Sequence, residues 1–314
     1  MRIIIFSFLI LTNCSGLFYY PDHFLYLSPK ENKLIFEESH FKSLDGTDLV
    51  AWEFPPQLRK EIKSTKNTSK DTGKKKEKNT EKNTSKDTEK YYSVPLKAKK
   101  IKGTIVQFHG NAQNMSTHFL YLVWLVEHQY QFLTFDYRGY GQSEGDPDQK
   151  GTVEDSEAFL EYAFKKHREK KAGKFIVVGQ SLGGAILLRA LKSFQEKHKN
   201  AVDLVVIDSS FVSYTEIAHQ KAVSSWVTWI ISPFTGILVS DAYAPKPYLK
   251  ELCMPLLVVH DRTDPVVDFK NGQELFDLWP CKKELWDFDE GTHAGFLNRN
   301  KENQDRFLSF VDAL

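Results

Sequence analysis

The chain has 314 residues, of which 41% are hydrophobic, so it can bury one large core or two small ones and is not disordered throughout. Its formal net charge of +1 hides an uneven distribution. Residues 57–102 carry 16 Lys and Arg against 6 Asp and Glu, which leaves the rest of the chain with a net charge of −9. The basic excess therefore belongs to one segment and gives no reason to expect nucleic acid as a partner.

The N-terminus has the layout of a secretory signal. Arg2 precedes a mostly apolar run at residues 3–11, too short to span a bilayer, and small and polar residues follow. We predict a signal peptide over 1–13, with an uncleaved anchor or a buried first strand as the alternatives. The sequence LTNC ending at Cys14 resembles a bacterial lipobox, although Asn13 departs from the usual small residue. This likeness implies acylation of Cys14, export, and a lipid anchor at the periplasmic face of a bacterial membrane or at the cell surface.

A lysine-rich stretch interrupts an otherwise mixed sequence. We expect residues 14–39 to form a tether and lead-in, and residues 40–314 to form one folded domain. Within that domain, residues 40–55 favour two short strands around Asp45-Gly46. Residues 58–97 lack apolar periodicity and predict a disordered, low-complexity insertion; a basic arm that touches anionic lipid or polysaccharide is the alternative.

From residue 100 onwards, short apolar runs alternate with longer segments of helical spacing. Rich in β-branched and aromatic residues, the runs predict strands over 102–110, 130–139, 174–181, 201–210, 254–261 and 283–291. Helical spacing is clearest over 152–167 and 271–279, and an amphipathic helix over 301–314 ends the chain. This alternation predicts an α/β fold with a mainly parallel central sheet and helices on both faces.

One interval, residues 211–248, breaks the alternation. It is rich in tryptophan and other apolar residues and is too long for a simple crossover. We predict a small helical cap over the strand ends; one crossover helix with a long lead-in is the alternative. Four cap residues, Trp226, Trp229, Ile230 and Phe234, are expected to line an apolar acyl or aryl pocket.

Two cysteines lie just before the last two predicted strands. If those strands are parallel neighbours, about 4.8 Å apart, Cys253 and Cys281 lie at the same level, before the starts of the strands, and come within disulfide range. An exported protein would allow that bond to form. Two buried free thiols are the alternative, and the histidines and these cysteines show no metal-ligand spacing.

One pentapeptide, Gly-Gln-Ser-Leu-Gly at residues 179–183, joins two apolar runs. In that context it indicates a strand, a sharp turn and a helix, with Ser181 exposed at the turn. The amides at the start of the helix then point to the region where negative charge would develop. A glycine-rich packing turn with an incidental serine is the alternative.

A serine nucleophile needs a base and an acid that orients the base. His293 is the candidate base because it lies in a glycine-flanked loop directly after a predicted strand. Asp264, in the turn after the preceding strand, is the favoured acid, and the chain order Ser, Asp, His fits a nucleophile-elbow fold. Three other aspartates at strand ends remain rivals: Asp208, Asp261 and Asp268.

Acyl transfer also needs donors for the developing oxyanion. The backbone amide of Leu182, directly after the serine, is one candidate, and the amide of Asn111, in the loop after the first predicted parallel strand, is the other. The glycine-rich stretch at 136–145 lacks the lysine and the spacing of a phosphate loop, so we interpret it as a structural turn.

The segments FHGNAQN, FDYRGYGQSEG, GQSLGG, HDRTDPVV and GTHAGF, in this order, resemble the alpha/beta-hydrolase superfamily, and within it the serine aminopeptidase-like group of small-capped hydrolases. The likeness covers about residues 40–314 and departs from the family at 58–97, where the connection is usually short. It implies an alpha/beta-hydrolase fold, Ser181 as nucleophile, Asp264 as acid, His293 as base, and an oxyanion hole formed by the Asn111 and Leu182 amides.

The same resemblance implies no cofactor and no metal. Together with the apolar cap, it favours a serine hydrolase acting on a small-molecule or lipid ester or thioester. A serine peptidase is an alternative, because the same three residues can cleave amides; Glu216 in the cap would then hold a substrate amino terminus. A non-catalytic surface protein that uses the fold for binding is a second alternative.

Overall fold

The computed structural model describes residues 18–61, 91–96, 100–224 and 228–314. The predicted signal peptide, Cys14, most of the lysine-rich insertion and Trp226 lie outside these residues. Among the helices of the described residues, none is both long and apolar enough to cross a membrane.

Eight strands form one main sheet. Their bounds are β1 Glu37–Lys42, β2 Asp48–Phe54, β5 Gly103–Phe108, β6 Tyr130–Phe135, β7 Lys174–Gln180, β8 Leu204–Asp208, β9 Leu256–Asp261 and β10 Lys283–Phe288. The order across the sheet is β1-β2-β6-β5-β7-β8-β9-β10. All pairings from β6 to β10 are parallel, while β1 and β2 add an antiparallel edge. The predicted mainly parallel sheet is confirmed.

The helices cover both faces of this sheet. Their bounds are α1 Met115–His118, α2 Gln149–Glu169, α3 Leu182–Lys197, α4 Tyr214–Ser224, α5 Thr235–Leu238, α6 Phe269–Leu278 and α7 Lys301–Asp312. Side chains alternate along each strand, so Val106 joins the core under α2 and α3, while Ile105 joins the core under α7. Burial on both faces explains why the parallel strands are apolar at nearly every position.

The two ends of the predicted insertion at 58–97 form a small hairpin, so the prediction of disorder is wrong for these ends. Strands β3 (Gln57–Glu61) and β4 (Tyr91–Pro95) pair antiparallel and form a separate two-stranded sheet. Phe54, just before β3, pairs with Phe132 near the start of β6. The hairpin therefore lies at the amino ends of the parallel strands, on the side away from the loops that follow those strands.

The last two strands also fix the cysteine pair. β9 and β10 are parallel neighbours, and Lys283 lies opposite Leu256. Cys253 and Cys281 precede these positions and form a disulfide, with their Cα atoms 5.3 Å apart. The disulfide joins the loops that enter the two strands.

Candidate active site

Ser181 occupies the turn between β7 and α3, in a conformation that non-glycine residues rarely adopt. Its φ is +51°. A Cβ atom at Gly183 would lie 2.3 Å from the carbonyl oxygens of both Phe108 and His109, so only glycine lets α3 approach the end of β5 this closely. The amide of Ser181 donates to the carbonyl oxygen of Asp208 at 2.9 Å. Close packing on both sides therefore holds the serine in its strained position.

Ser181, His293 and Asp264 lie in one hydrogen-bonded row. The Ser181 Oγ is 2.9 Å from Nε2 of His293, although the two residues are 112 positions apart. The Nδ1 of His293 is 2.8 Å and 3.0 Å from the two carboxylate oxygens of Asp264. The amides of Val266 and Val267 donate to the same carboxylate at 2.7 Å and 2.9 Å. The structure thus brings together the three residues predicted as nucleophile, base and acid.

The environment of Asp264 favours its ionised form. Its side chain is fully buried, which by itself would disfavour the charge. The hydrogen bonds from His293 and from the Val266 and Val267 amides outweigh burial and hold the pKa of Asp264 below its usual range. An ionised carboxylate can only accept, so the His293 ring donates its Nδ1–H to Asp264 and presents the Nε2 lone pair to Ser181.

Asp208, one of the rival acids, holds the histidine loop in place. Its buried carboxylate accepts from the Tyr121 hydroxyl at 2.6 Å and from the Gly295 amide, two residues past His293, at 2.9 Å. Complete burial raises the pKa of Asp208 above its usual range. Of the other two rivals, Asp261 accepts from the Thr292 amide at 2.8 Å and so also holds the histidine loop, directly before His293. Asp268 caps α6.

The two predicted oxyanion donors flank the serine. Leu182 is the first residue of α3, so its amide is among those that have no acceptor within the helix. On the other side, a Cβ atom at Gly110 would lie 3.4 Å from the Cβ of Ser181, which places the 109–111 loop against the serine. The side-chain oxygen of Asn111 accepts from the Tyr20 amide at 2.8 Å and so helps to fix this loop. The roles of the Asn111 and Leu182 amides stay a prediction.

An apolar cavity of about 650 Å³ opens beside Ser181. Asn111 and Leu182 also line it, together with apolar side chains of α4, of the segment after α5 and of the loop after β9. Among the described lining residues there is no carboxylate, and the one charged side chain is that of Lys221. The cavity can therefore hold an uncharged acyl or aryl group next to the serine.

The pocket prediction for the cap is wrong for the three residues that can be checked. Trp229, Ile230 and Phe234 do not line the cavity and are 58%, 63% and 54% exposed. They belong to a short 3₁₀ segment, which is too short for a hydrophobic periodicity to distinguish an inner from an outer side. The cavity is lined instead by α4, through residues such as Ile217 and Ala218. Trp226 lies outside the described residues.

Sequence reasoning missed the contribution of the lead-in. Phe18 and Tyr20 line the cavity, and the Tyr19 hydroxyl is 3.1 Å from the buried Thr152 hydroxyl of α2. The signal was present, because residues 18–26 contain five aromatic side chains, a composition unusual for a plain tether. The lead-in is thus part of the wall around the serine.

Glu216, the candidate anchor for a substrate amino terminus, does not line the cavity. It lies on α4 and is ion-paired with Lys246, which also pairs with Glu274. A carboxylate already neutralised by a lysine is a poor partner for a second cation.

Comparisons with known proteins agree with this architecture. The esterase Pf2001 of Pyrococcus furiosus has a similar structure, with a TM-score of 0.62 and 17% identity over 95% of this chain and 98% of the esterase. The family described as serine aminopeptidase, S33, matches residues 99–249. The Escherichia coli K12 protein YfhR, described as uncharacterized, is 30% identical over 212 residues, or 66% of this chain and 69% of YfhR.

The chain belongs to the alpha/beta-hydrolase superfamily. A further relative, the mouse lysophosphatidylserine lipase ABHD12, is 26% identical over 196 residues, which cover 59% of this chain and 47% of the lipase. The family match at 99–249 includes Ser181 but ends before Asp264 and His293.

Proposed function

We propose that this alpha/beta hydrolase cleaves a carboxylic ester or thioester through an acyl-serine intermediate. The observation that carries the proposal is the hydrogen-bonded row from Ser181 through His293 to Asp264, in which Ser181 lines the apolar cavity. A base 2.9 Å from the hydroxyl is within the range needed to take its proton.

The proposed reaction has two halves. His293 Nε2 takes the proton of Ser181 as Oγ attacks the acyl carbon, and the Leu182 and Asn111 amides stabilise the oxyanion. The intermediate collapses, and His293 returns the proton to the leaving alcohol or thiol. His293 then takes a proton from water as that water attacks the acyl-serine, and returns it to the Ser181 Oγ as the acid is released. Asp264 stays ionised and stabilises the imidazolium in both halves.

The lining of the cavity favours an acyl ester over a peptide. An aminopeptidase needs an acidic or similar group for the substrate amino terminus, yet the described lining residues offer only the cation of Lys221. The family description as serine aminopeptidase keeps peptide hydrolysis as the second candidate. The relative ABHD12, which is described as a lysophosphatidylserine lipase, supports a lipid ester as substrate.

We also propose that the protein is exported and held at a membrane by a lipid on Cys14. The signal-like N-terminus supports this location, and so does the Cys253–Cys281 disulfide, since such bonds persist in oxidising compartments.

The test uses chromogenic esters of increasing acyl length and amino-acid anilides at neutral pH. We expect the parent to hydrolyse the esters, with rates that rise until the acyl chain fills the cavity, and Ser181→Ala to lose on the order of 10⁴-fold or more of the activity. Ser193→Ala, on the same helix but away from the cavity, is the matched control and should keep full activity. Faster hydrolysis of the anilides than of any ester would favour the peptidase.

A further inference from the structure

The cap presents apolar side chains to solvent around the mouth of the cavity. Five of them and Tyr20 of the lead-in form what we call the apolar rim: Tyr20, Trp229, Ile230, Phe234, Ile237 and Leu238. Each is at least 46% exposed, and Ile237 is 84% exposed. Contiguous exposed apolar surface of this kind marks a site that contacts a partner or a membrane.

The rim is continuous with the cavity. Tyr20 and Leu238 line the cavity and are exposed as well. Trp229 directly follows the lining residue Thr228, and Phe234 directly precedes the lining residue Thr235. A substrate that reaches Ser181 through this mouth therefore passes the rim.

The charge of the cap fits a lipid surface. Residues 222–240 contain no Asp, Glu, Lys, Arg or His, and the residue just before them is Lys221 at the cavity. An uncharged apolar surface with a lysine at its border can enter the headgroup region of a bilayer and leave the cation among the phosphates.

The described part of the chain begins at the cavity. Phe18 lines the cavity, and the apolar run at residues 3–11 ends seven positions earlier. Seven residues span at most about 25 Å even when fully extended. If this run or an acyl chain on Cys14 enters a bilayer, that bilayer lies within about 25 Å of the cavity mouth.

We infer that the apolar rim docks into the surface of a lipid bilayer, so that the cavity mouth faces lipid and an acyl substrate enters without crossing water. This inference rests on the proposed ester hydrolysis and adds that the substrate comes from the bilayer. Docking itself does not require Ser181, so it can be tested without catalysis.

The test measures whether each of two positions in the full chain enters a lipid bilayer. In a Cys14→Ser, Ser181→Ala background, Ile237→Cys carries an environment-sensitive fluorophore. Leu58→Cys, 37% exposed on β3 in the separate hairpin at the amino ends of the parallel strands, is the matched control. On addition of vesicles of phosphatidylcholine and phosphatidylglycerol, the probe at 237 should shift to shorter wavelength and that at 58 should not.

Each other outcome overturns the inference. Equal shifts, or no shift at 237 while the protein sediments with the vesicles, would mean that another surface contacts lipid. A short-wavelength probe at 237 before vesicles are added would mean that the rim is already covered. If this short-wavelength emission depends on protein concentration, a second copy of the chain covers the rim. If it does not, the chain's own N-terminus covers the rim.

A second variant separates docking from catalysis. The double change Ile230→Glu and Ile237→Glu alters two exposed side chains outside the cavity lining. We expect it to leave hydrolysis of a short, water-soluble ester unchanged and to slow hydrolysis of a long-acyl ester in vesicles by about tenfold or more. Equal rates on the vesicle ester would overturn the docking proposal. Failure of the parent on every ester would overturn the proposed function, while the probe experiment would still decide docking.

Discussion

Asp264 determines which nitrogen of the His293 ring carries the proton. Its carboxylate accepts from His293 and from two backbone amides, so its position and charge are both fixed. A neutral asparagine could present its amide nitrogen to the ring and so favour the wrong histidine tautomer.

We predict that Asp264→Asn lowers kcat on a chromogenic ester by about 10⁴-fold, the size of effect expected when the orienting acid is lost. The matched control is Asp268→Asn, four residues later at the start of α6, which should change kcat by less than about threefold. If kcat falls by a similar factor in both variants, Asp264 supports the local fold and does not orient His293.

Asp264 also contributes to stability in a pH-dependent way. Because its pKa is lower in the folded chain than its ordinary value, the unfolded chain binds more protons as the pH falls, and stability falls with it. The contribution is fully present above about pH 4, the ordinary aspartate range, and is lost as the pH falls through the folded pKa.

The measurement is urea unfolding of the parent and of Asp264→Asn at several pH values between neutral and acid. The difference in free energy of unfolding between them should be constant near neutral pH and shrink below about pH 4. A difference that grows as the pH falls would contradict the lowered pKa.

At the scale of elements, Arg138 ties the loop after β6 to α2. Its guanidinium donates from Nη2 and Nε to Asp155 at 2.8 Å and 3.1 Å, and from Nη1 to Asp45 at 2.8 Å. The Asp155 side chain is fully buried, and burial raises the pKa of Asp155 despite the bonds from Arg138. Removing the arginine would leave that carboxylate unpaired in the interior.

We predict that Arg138→Leu lowers the free energy of unfolding by about 3–5 kcal/mol, the cost of breaking a buried ion pair from one side. Chemical denaturation measures it. Lys42→Leu removes an exposed ion pair with Asp48 and should cost less than about 1 kcal/mol. If both variants lose the same small amount, the Arg138 network is only a surface contact.

The elements around the site could be predicted from sequence because each lies at a strand end. Apolar runs located the strands, and parallel order brings their carboxyl ends to one edge, so Ser181 and His293 were expected to meet there. Four aspartates satisfied the same rule, and sequence alone favoured Asp264 without excluding Asp208. Only the hydrogen bonds divide their roles, with Asp208 bound to Gly295 and Asp264 to His293.

The cavity wall was less predictable, for a physical reason. A long helix has a repeat that distinguishes its inner from its outer face, but the segment from Trp229 to Phe234 is a single short 3₁₀ stretch. Its large side chains are apolar, so composition could not show that those of Trp229, Ile230 and Phe234 face solvent. Phe18 and Tyr20 were missed because the aromatic composition of residues 18–26 indicates a packed segment but does not show which distant part of the chain it packs against.

At the scale of the whole molecule, the disulfide closes a loop of 28 residues that contains β9, α6 and the Asp264 turn. Loop-closure entropy for this length gives a stabilisation of about 3–4 kcal/mol. We predict that reductant lowers the Tm of the parent. The Cys253→Ser, Cys281→Ser double variant should start from the lower Tm and not respond to reductant. An identical Tm for oxidised and reduced parent would contradict a stabilising role.

The measurement that tests the central claim most directly is covalent trapping of the nucleophile. The parent, Ser181→Ala and Ser193→Ala are treated with a fluorophosphonate, and intact mass and peptide mapping locate the adduct. The proposed mechanism predicts one adduct, on Ser181, in the parent and in Ser193→Ala, and none in Ser181→Ala, because only a serine activated by His293 attacks the phosphorus. No adduct on the parent, or an adduct that persists in Ser181→Ala, would contradict the assignment of Ser181 as the nucleophile.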